Sequence, residues 1–157
     1  MKNKENILNI VIVSLDDKFN KNVSSLLADK LEMFFADTKE LIEYDLINPK
    51  DVLQKCGIEY FKKREKKVVE NISLYEGTII SIPFDLFKDY FYLFEKSIII
   101  YLELPEGKIS NSINHIAYQN RNEYLVKHCD IKINLEKKLK LQTVNKIIEK
   151  LGEILWI

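Results

Sequence analysis

The sequence predicts an α/β fold of three layers, α/β/α, with about five parallel strands, and two observations carry that expectation. Short, near-continuous apolar runs rich in β-branched residues, at Ile10–Val13, Ile79–Ile82 and Ile98–Leu102, have the pattern of strands buried on both faces. Between them apolar residues recur at the spacing of one helix side. Strands alternating with helices form a parallel sheet covered on both faces through right-handed crossovers.

The elements follow in order. After the strand Ile10–Val13, the stripe Val23, Leu26, Leu27 and Leu31 marks a first helix, and Met33–Ala36 is a weaker second strand. Asp37 with Glu40 forms a capping-box pattern opening a helix through Leu41, Ile42 and Leu46. Asn48 before Pro49 reads as an N-cap followed by proline at the first helical position. Gly57 and Gly77 punctuate the two ends of a helix carrying Phe61, Val68, Val69 and Ile72. Beyond the strands Ile79–Ile82 and Ile98–Leu102 comes a weaker one, Ile131–Ile133. A final helix bears Val144, Ile147, Ile148, Leu151 and Leu155. The aromatic segment Tyr90, Phe91, Tyr92 and Phe94 is expected to pack, and Ile154 to Ile157, including Trp156, to cover the sheet or form an interface.

Composition bounds the function. A chain of 157 residues, 46% apolar, is expected to form a single domain over 1–157. Lys plus Arg and Asp plus Glu number 24 each, so no global field recruits nucleic acid or an anionic membrane. No run reaches the roughly 18 apolar residues of a membrane span, and MKNKENILNI lacks the apolar core of a signal peptide, so a cytoplasmic location is expected. Cys56 and Cys129 lie outside any C-x-x-C spacing and read as ordinary buried thiols.

The turn after the first strand is the informative segment. Residues 14–22, SLDDKFNKN, contain no glycine, whereas a phosphate-binding strand-to-helix turn uses glycines so that backbone N–H groups can cradle the anion. Elsewhere, NIVIV, LLADKLEMFFADTKELIE, GIEYFKKREKKVV and IIIYLE follow one another as the segments of shikimate kinases do. Over most of its length the chain therefore resembles that family, small P-loop phosphotransferases that use ATP and magnesium to phosphorylate a hydroxyl of shikimate on the route to chorismate. The resemblance implies a P-loop kinase-like topology.

Mapping the family's G-x-x-x-x-G-K-[ST] onto this chain places Ser14 and Phe19 at the glycines, Asn20 at the lysine and Lys21 at the magnesium-binding hydroxyl. Phe19 would set a ring near the phosphate path. Asp16 and Asp17 add negative charge beside a triphosphate, about 4 kcal/mol for one contact at 4 Å and an effective dielectric of 20. Lys18 and Lys21 are the remaining cofactor-binding candidates. The family's D-x-D becomes Asp37-Thr38-Lys39, leaving Asp37 as a helix cap or a residual metal or catalytic group, with Lys21 the other catalytic candidate. Lys62 stands where the family has a carboxylate-gripping arginine, and keeps the charge without the bidentate fork. Glu65 keeps its place, and Arg121 matches a second carboxylate-binding arginine. Pro83, Phe84 and Asp85 replace a glycine triplet, and the lid between Glu103 and Arg121 is short and lacks arginine.

Bland roles stand beside these. Lys62 to Lys67 form a charged run suited to a solvated helix face, and His115 and His128 are isolated. The expectation is a shikimate kinase-like pseudoenzyme that binds no cofactor, with ATP and magnesium relevant only if the family activity survives. Shikimate or another small anion, a protein partner or a second copy are its candidate ligands. An active kinase with an unorthodox nucleotide site and a regulatory or structural interaction protein are the alternatives.

Overall fold

Every strand of the sheet runs the same way. The computed structural model of the chain describes residues 6–110 and 113–155, with the backbone alone at 155. Strands β1 (Asn9–Ser14), β2 (Phe34–Asp37), β3 (Thr78–Ile82), β4 (Ser97–Glu103) and β5 (Ile131–Asn134) form one sheet in the order β2-β3-β1-β4-β5. All pairings are parallel. Among the described residues six α-helices connect and flank them: α1 (Asp17–Leu31), α2 (Thr38–Leu46), α3 (Pro49–Ser73), α4 (Phe84–Tyr90), α5 (His115–His128) and α6 (Lys140–Leu155).

Alternation along the strands divides the apolar residues into two cores, because successive side chains point to opposite faces. Ile10, Ile12, Ile98 and Ile100 pack with Val23 and Leu27 of α1 and with Val144 and Ile147 of α6. Val11, Val13, Ile80 and Ile99 pack with Ile42 of α2, Val69 and Ile72 of α3, Phe87 of α4 and Leu125 of α5. These are the three layers the alternation predicts. Buried Asn9 ties β1 to the end of α3 by donating to the carbonyls of Ser73 (3.0 Å) and Tyr75 (2.8 Å).

Caps set the helix starts as the sequence indicates. Asp37 accepts from the Glu40 N–H at 3.0 Å, and Asn48 accepts from the Asp51 N–H ahead of Pro49. Gly57 sits inside the span of α3 at φ 84°, ψ 168°, a kink separating two helical stretches, while Gly77 (φ 60°) turns the chain into β3 after α3 has already ended at Ser73.

Several expectations are corrected. The segment 14–22 is not an open turn, since α1 starts at Asp17. Helices α4 and α5 have no counterpart in the sequence reading. Phe84, Phe87 and Tyr90 form an apolar side at helical spacing that ends where the aromatic segment Tyr90 to Phe94 begins, and α5 has only Leu125 fully buried, too thin a stripe to register. Cys56 is exposed and Cys129 half-buried, so neither is a fully buried thiol. Trp156 and Ile157, with the Leu155 side chain, lie outside the described residues. Among the described residues no helix is long and apolar enough to cross a membrane.

Candidate functional site

Because all strands are parallel, Ser14, Asp37 and Ile82 end at the same edge of the sheet, where ligands of open α/β sheets bind. At this edge the start of α1 is closed upon itself. Ser14 Oγ accepts from the Asp16 N–H (3.1 Å), Asp16 Oδ1 accepts from the Phe19 N–H (3.0 Å), and the Asp16 carbonyl accepts from the Asn20 N–H (2.9 Å). The N–H groups of Asp16, Phe19 and Asn20 are thereby taken within the chain.

The other oxygen of Asp16 reaches across the fold. Asp16 Oδ2 accepts from the Ser110 N–H at 2.8 Å and from Lys138 Nζ at 3.2 Å, and Lys138 also donates to Ser110 Oγ at 2.7 Å. Asp16 is 1% exposed. Burial alone would raise its carboxyl, but the Ser110 and Phe19 N–H groups, the Ser110 hydroxyl and Lys138 together outweigh it and hold the group below its ordinary value. A carboxylate at a helix N-terminus, held by N–H donors and an ammonium, has the environment such sites give a phosphate.

The remaining loop residues face elsewhere. Phe19 does not project into a phosphate path; its ring is buried in the core between the sheet and α1 and α6. Asn20 is buried and donates from Nδ2 to the Ile12 carbonyl at 2.9 Å, while its Oδ1 has no hydrogen-bond partner. Lys21 pairs with Glu40 of α2.

Two adjoining clefts open beside α1. One, of about 330 Å³, is lined by Lys18, Lys21, Asp37 and Lys39 among others, and the second, of about 380 Å³, by Phe61, Lys62, Glu65 and Asp89. They share Asp17, Lys39, Glu43 and Pro83. The structure thus gathers the candidates Lys18, Lys21, Asp37, Lys62 and Glu65, but with commitments of their own. Asp37 uses one oxygen as the α2 cap and the other to accept from Ser81 Oγ at 2.5 Å. Lys62 lies 3.2 Å from Glu65 and 3.9 Å from Asp89. Glu65 is buried and accepts from the Tyr90 hydroxyl at 2.8 Å. Burial, then the bond to Glu65 and its charge, push the Tyr90 hydroxyl well above its ordinary value, so it remains a donor.

Arg121 is outside both linings and sits over the Phe84 ring at 5.3 Å. His128 stacks on Tyr124 with ring centroids 4.1 Å apart, and His115 pairs with Glu106 at 2.6 Å. Among the described residues no cluster of His, Cys, Asp and Glu could hold a metal ion. Ser110, Lys138, Ser81 and Tyr90 complete this region although the motif mapping points to none of them. Their only trace in the sequence is residue type, since each is placed by the fold.

In the second cleft Lys39 and Lys62 face five carboxylates, including Asp17, Glu65 and Asp89. That balance repels an anion.

Comparison with known proteins agrees with the fold. A protein 35% identical over 74 residues is the shikimate kinase of Sulfurihydrogenibium sp. (strain YO3AOP1); the aligned part is 46% of this chain and 45% of that relative, less than half of either. Shikimate kinase from Aquifex aeolicus superposes with a TM-score of 0.72 at 20% identity, covering 93% of this chain and 98% of that one. Shikimate kinase from Acinetobacter baumannii, solved in complex with shikimate, gives 0.62 at 17% identity, covering 94% of each chain. At such identities the two superpositions speak for the fold. The family model described as shikimate kinase matches residues 21–152. A match that runs from within α1 to within α6 takes in most of the chain, which therefore belongs to the shikimate kinase family.

Proposed function

We propose that this family member is a pseudoenzyme that does not transfer phosphate from ATP, because its own Asp16 carboxylate holds the place at the start of α1 where a phosphate would be cradled. The contacts of Asp16 are the observation that carries this reading. Magnesium and ATP do not fit the residues present. Phe19 and Asn20 commit their N–H groups to Asp16, Lys21 is paired with Glu40, and both Asp37 oxygens are engaged. Phosphoryl transfer depends on positioning and on electrostatic stabilisation of the transferring group, so loss of the cradle removes its main source of catalysis.

The competing reading, an active kinase using Lys18 or Lys21 for phosphate and Asp37 for magnesium, requires Lys21 to leave Glu40 and Asp16 to leave three donors at once. Retention of shikimate or another small anion by Lys62 and Arg121 is less well supported. Arg121 does not line the cleft, and Lys62 already faces Glu65 and Asp89.

Purified protein with magnesium, ATP and shikimate is expected to show no turnover, and calorimetry with ATP no heat of binding. Turnover in the ordinary kinase range of about 1–100 per second would overturn the proposal.

A further inference from the structure

Next to the family's site, with which it shares Asp37, Glu40 and Glu43 in its lining, a groove runs between α2 and the C-terminal half of α3. Its main chamber, of about 850 Å³, is lined by Leu41, Tyr44, Ile47, Val68 and Tyr75. A second, of about 440 Å³, shares Leu41 and Tyr75 and continues to Phe34 on β2, an edge strand of the sheet. Arg64 of α3 fixes one side by donating from one guanidinium nitrogen to both carboxylate oxygens of Asp45 of α2, at 2.9 and 3.1 Å.

Three features set this groove apart. Ile47, Tyr44 and Phe34 are the most exposed large apolar residues among those described, at 90%, 84% and 77%. Ile47 is held outward by strained backbone: φ 61° and ψ −55°, closed by the Asn48 N–H donating to the Leu46 carbonyl at 2.6 Å, make a γ-turn with positive φ at a β-branched residue. Such strain concentrates at functional positions. Finally, the two chambers are lined by five carboxylates and by no lysine, arginine or histidine. Asp37, Glu40 and Asp45 have cap or ion-pair partners, whereas Glu43 and Glu76 form no ion pair among the described residues.

We infer that the α2–α3 groove is a docking site for a segment of a partner protein that carries arginine or lysine beside large apolar side chains. The apolar side chains would cover Leu41, Val68 and Ile47, and the cations would meet Glu43, Glu76 and the faces of Phe34, Tyr44 and Tyr75, which attract positive charge as the carboxylates do. A second copy fits this surface less well, because an isologous contact would set the same carboxylates of two chains against each other. The inference does not depend on whether the chain transfers phosphate.

The test uses the full isotope-labelled chain and two short synthetic peptides, one alternating leucine with arginine, the other leucine with glutamate. Amide shifts confined to residues 34–47 and 68–76 with the arginine peptide, and none with the glutamate peptide, are expected. Tyr44→Ser with Ile47→Ser should weaken that binding about tenfold or more. Glu43→Lys with Glu76→Lys should reverse the preference, a result that loss of folding could not mimic. Shifts that are absent or lie elsewhere, equal response to both peptides, or a concentration-dependent dimer abolished by the Tyr44 and Ile47 substitutions would each overturn the inference.

Discussion

At the scale of single residues, Asp16 has the most consequences. It caps α1, anchors the segment around Ser110 and receives Lys138 while almost wholly buried. Replacing it with alanine leaves the Phe19 and Ser110 N–H groups without their acceptor and removes one of the Lys138 contacts, and should cost about 2–4 kcal/mol in urea denaturation. Asn in its place keeps an acceptor for the cap and should cost roughly half as much. The pH dependence follows from the depressed carboxyl. Its contribution is complete above the ordinary value of 3.8 and declines as pH falls below that toward the native-state value, so wild type should lose stability in that acid range and Asp16→Asn should lose less. Sequence alone presents Asp16 as a charge hostile to a triphosphate. That it is itself held as the anion depends on residues 94 and 122 positions away.

At the scale of elements, caps and breaks within a few residues were legible, and their energetics can be tested as a pair. Gly57 occupies backbone that is essentially reserved for glycine, and a Cβ there would meet nothing within 4 Å, so Gly57→Ala should cost about 1–3 kcal/mol from conformation alone. Ile47 is the reverse case, a β-branched residue at positive φ with its side chain in solvent. Ile47→Gly should be neutral or stabilise by up to about 1 kcal/mol, relief of strain offsetting the added freedom of the unfolded chain. Chemical denaturation of both variants checks the contrast; a clear destabilisation by Ile47→Gly would remove the strain argument. Nothing in the sequence singles out Ile47. Its angles follow from how α2 hands the chain to the Asn48–Pro49 start of α3, whereas Asp37 with Glu40 and Asn48 with Pro49 carry their instructions in neighbouring residue types.

At the scale of the whole molecule, the changes at the α1 site are built into the core rather than laid over it. Phe19 is part of the cluster shared by α1, α6 and the sheet, and Asn20 is 2% exposed where the family motif asks for lysine. Grafting Ser14→Gly, Phe19→Gly, Asn20→Lys and Lys21→Ser together would remove a buried ring, a loss of about 3–5 kcal/mol by comparison with Phe→Ala. It would also bury an ammonium and break the Lys21–Glu40 pair. Against a typical total stability of about 5–15 kcal/mol, the fourfold variant is expected to melt far lower or fail to fold, and to show no turnover with ATP and shikimate. Calorimetric melting and the kinase assay check both halves. A stable, active variant would mean that the core around α1 tolerates a phosphate cradle, and would overturn this expectation.

The sequence by itself determined the sheet, its layers and the family, because strand burial, helix stripes and caps are encoded over a few neighbouring residues and recur along the chain. It also determined that residues 14–22 contain no glycine. The tertiary structure decided how that segment is closed. A carboxylate at the N-cap of α1, a backbone N–H beyond β4 and a lysine beyond β5 become one site only when parallel strands bring their ends to the same edge. The two-sided pull of burial and hydrogen bonding on Asp16 exists only in that assembled environment.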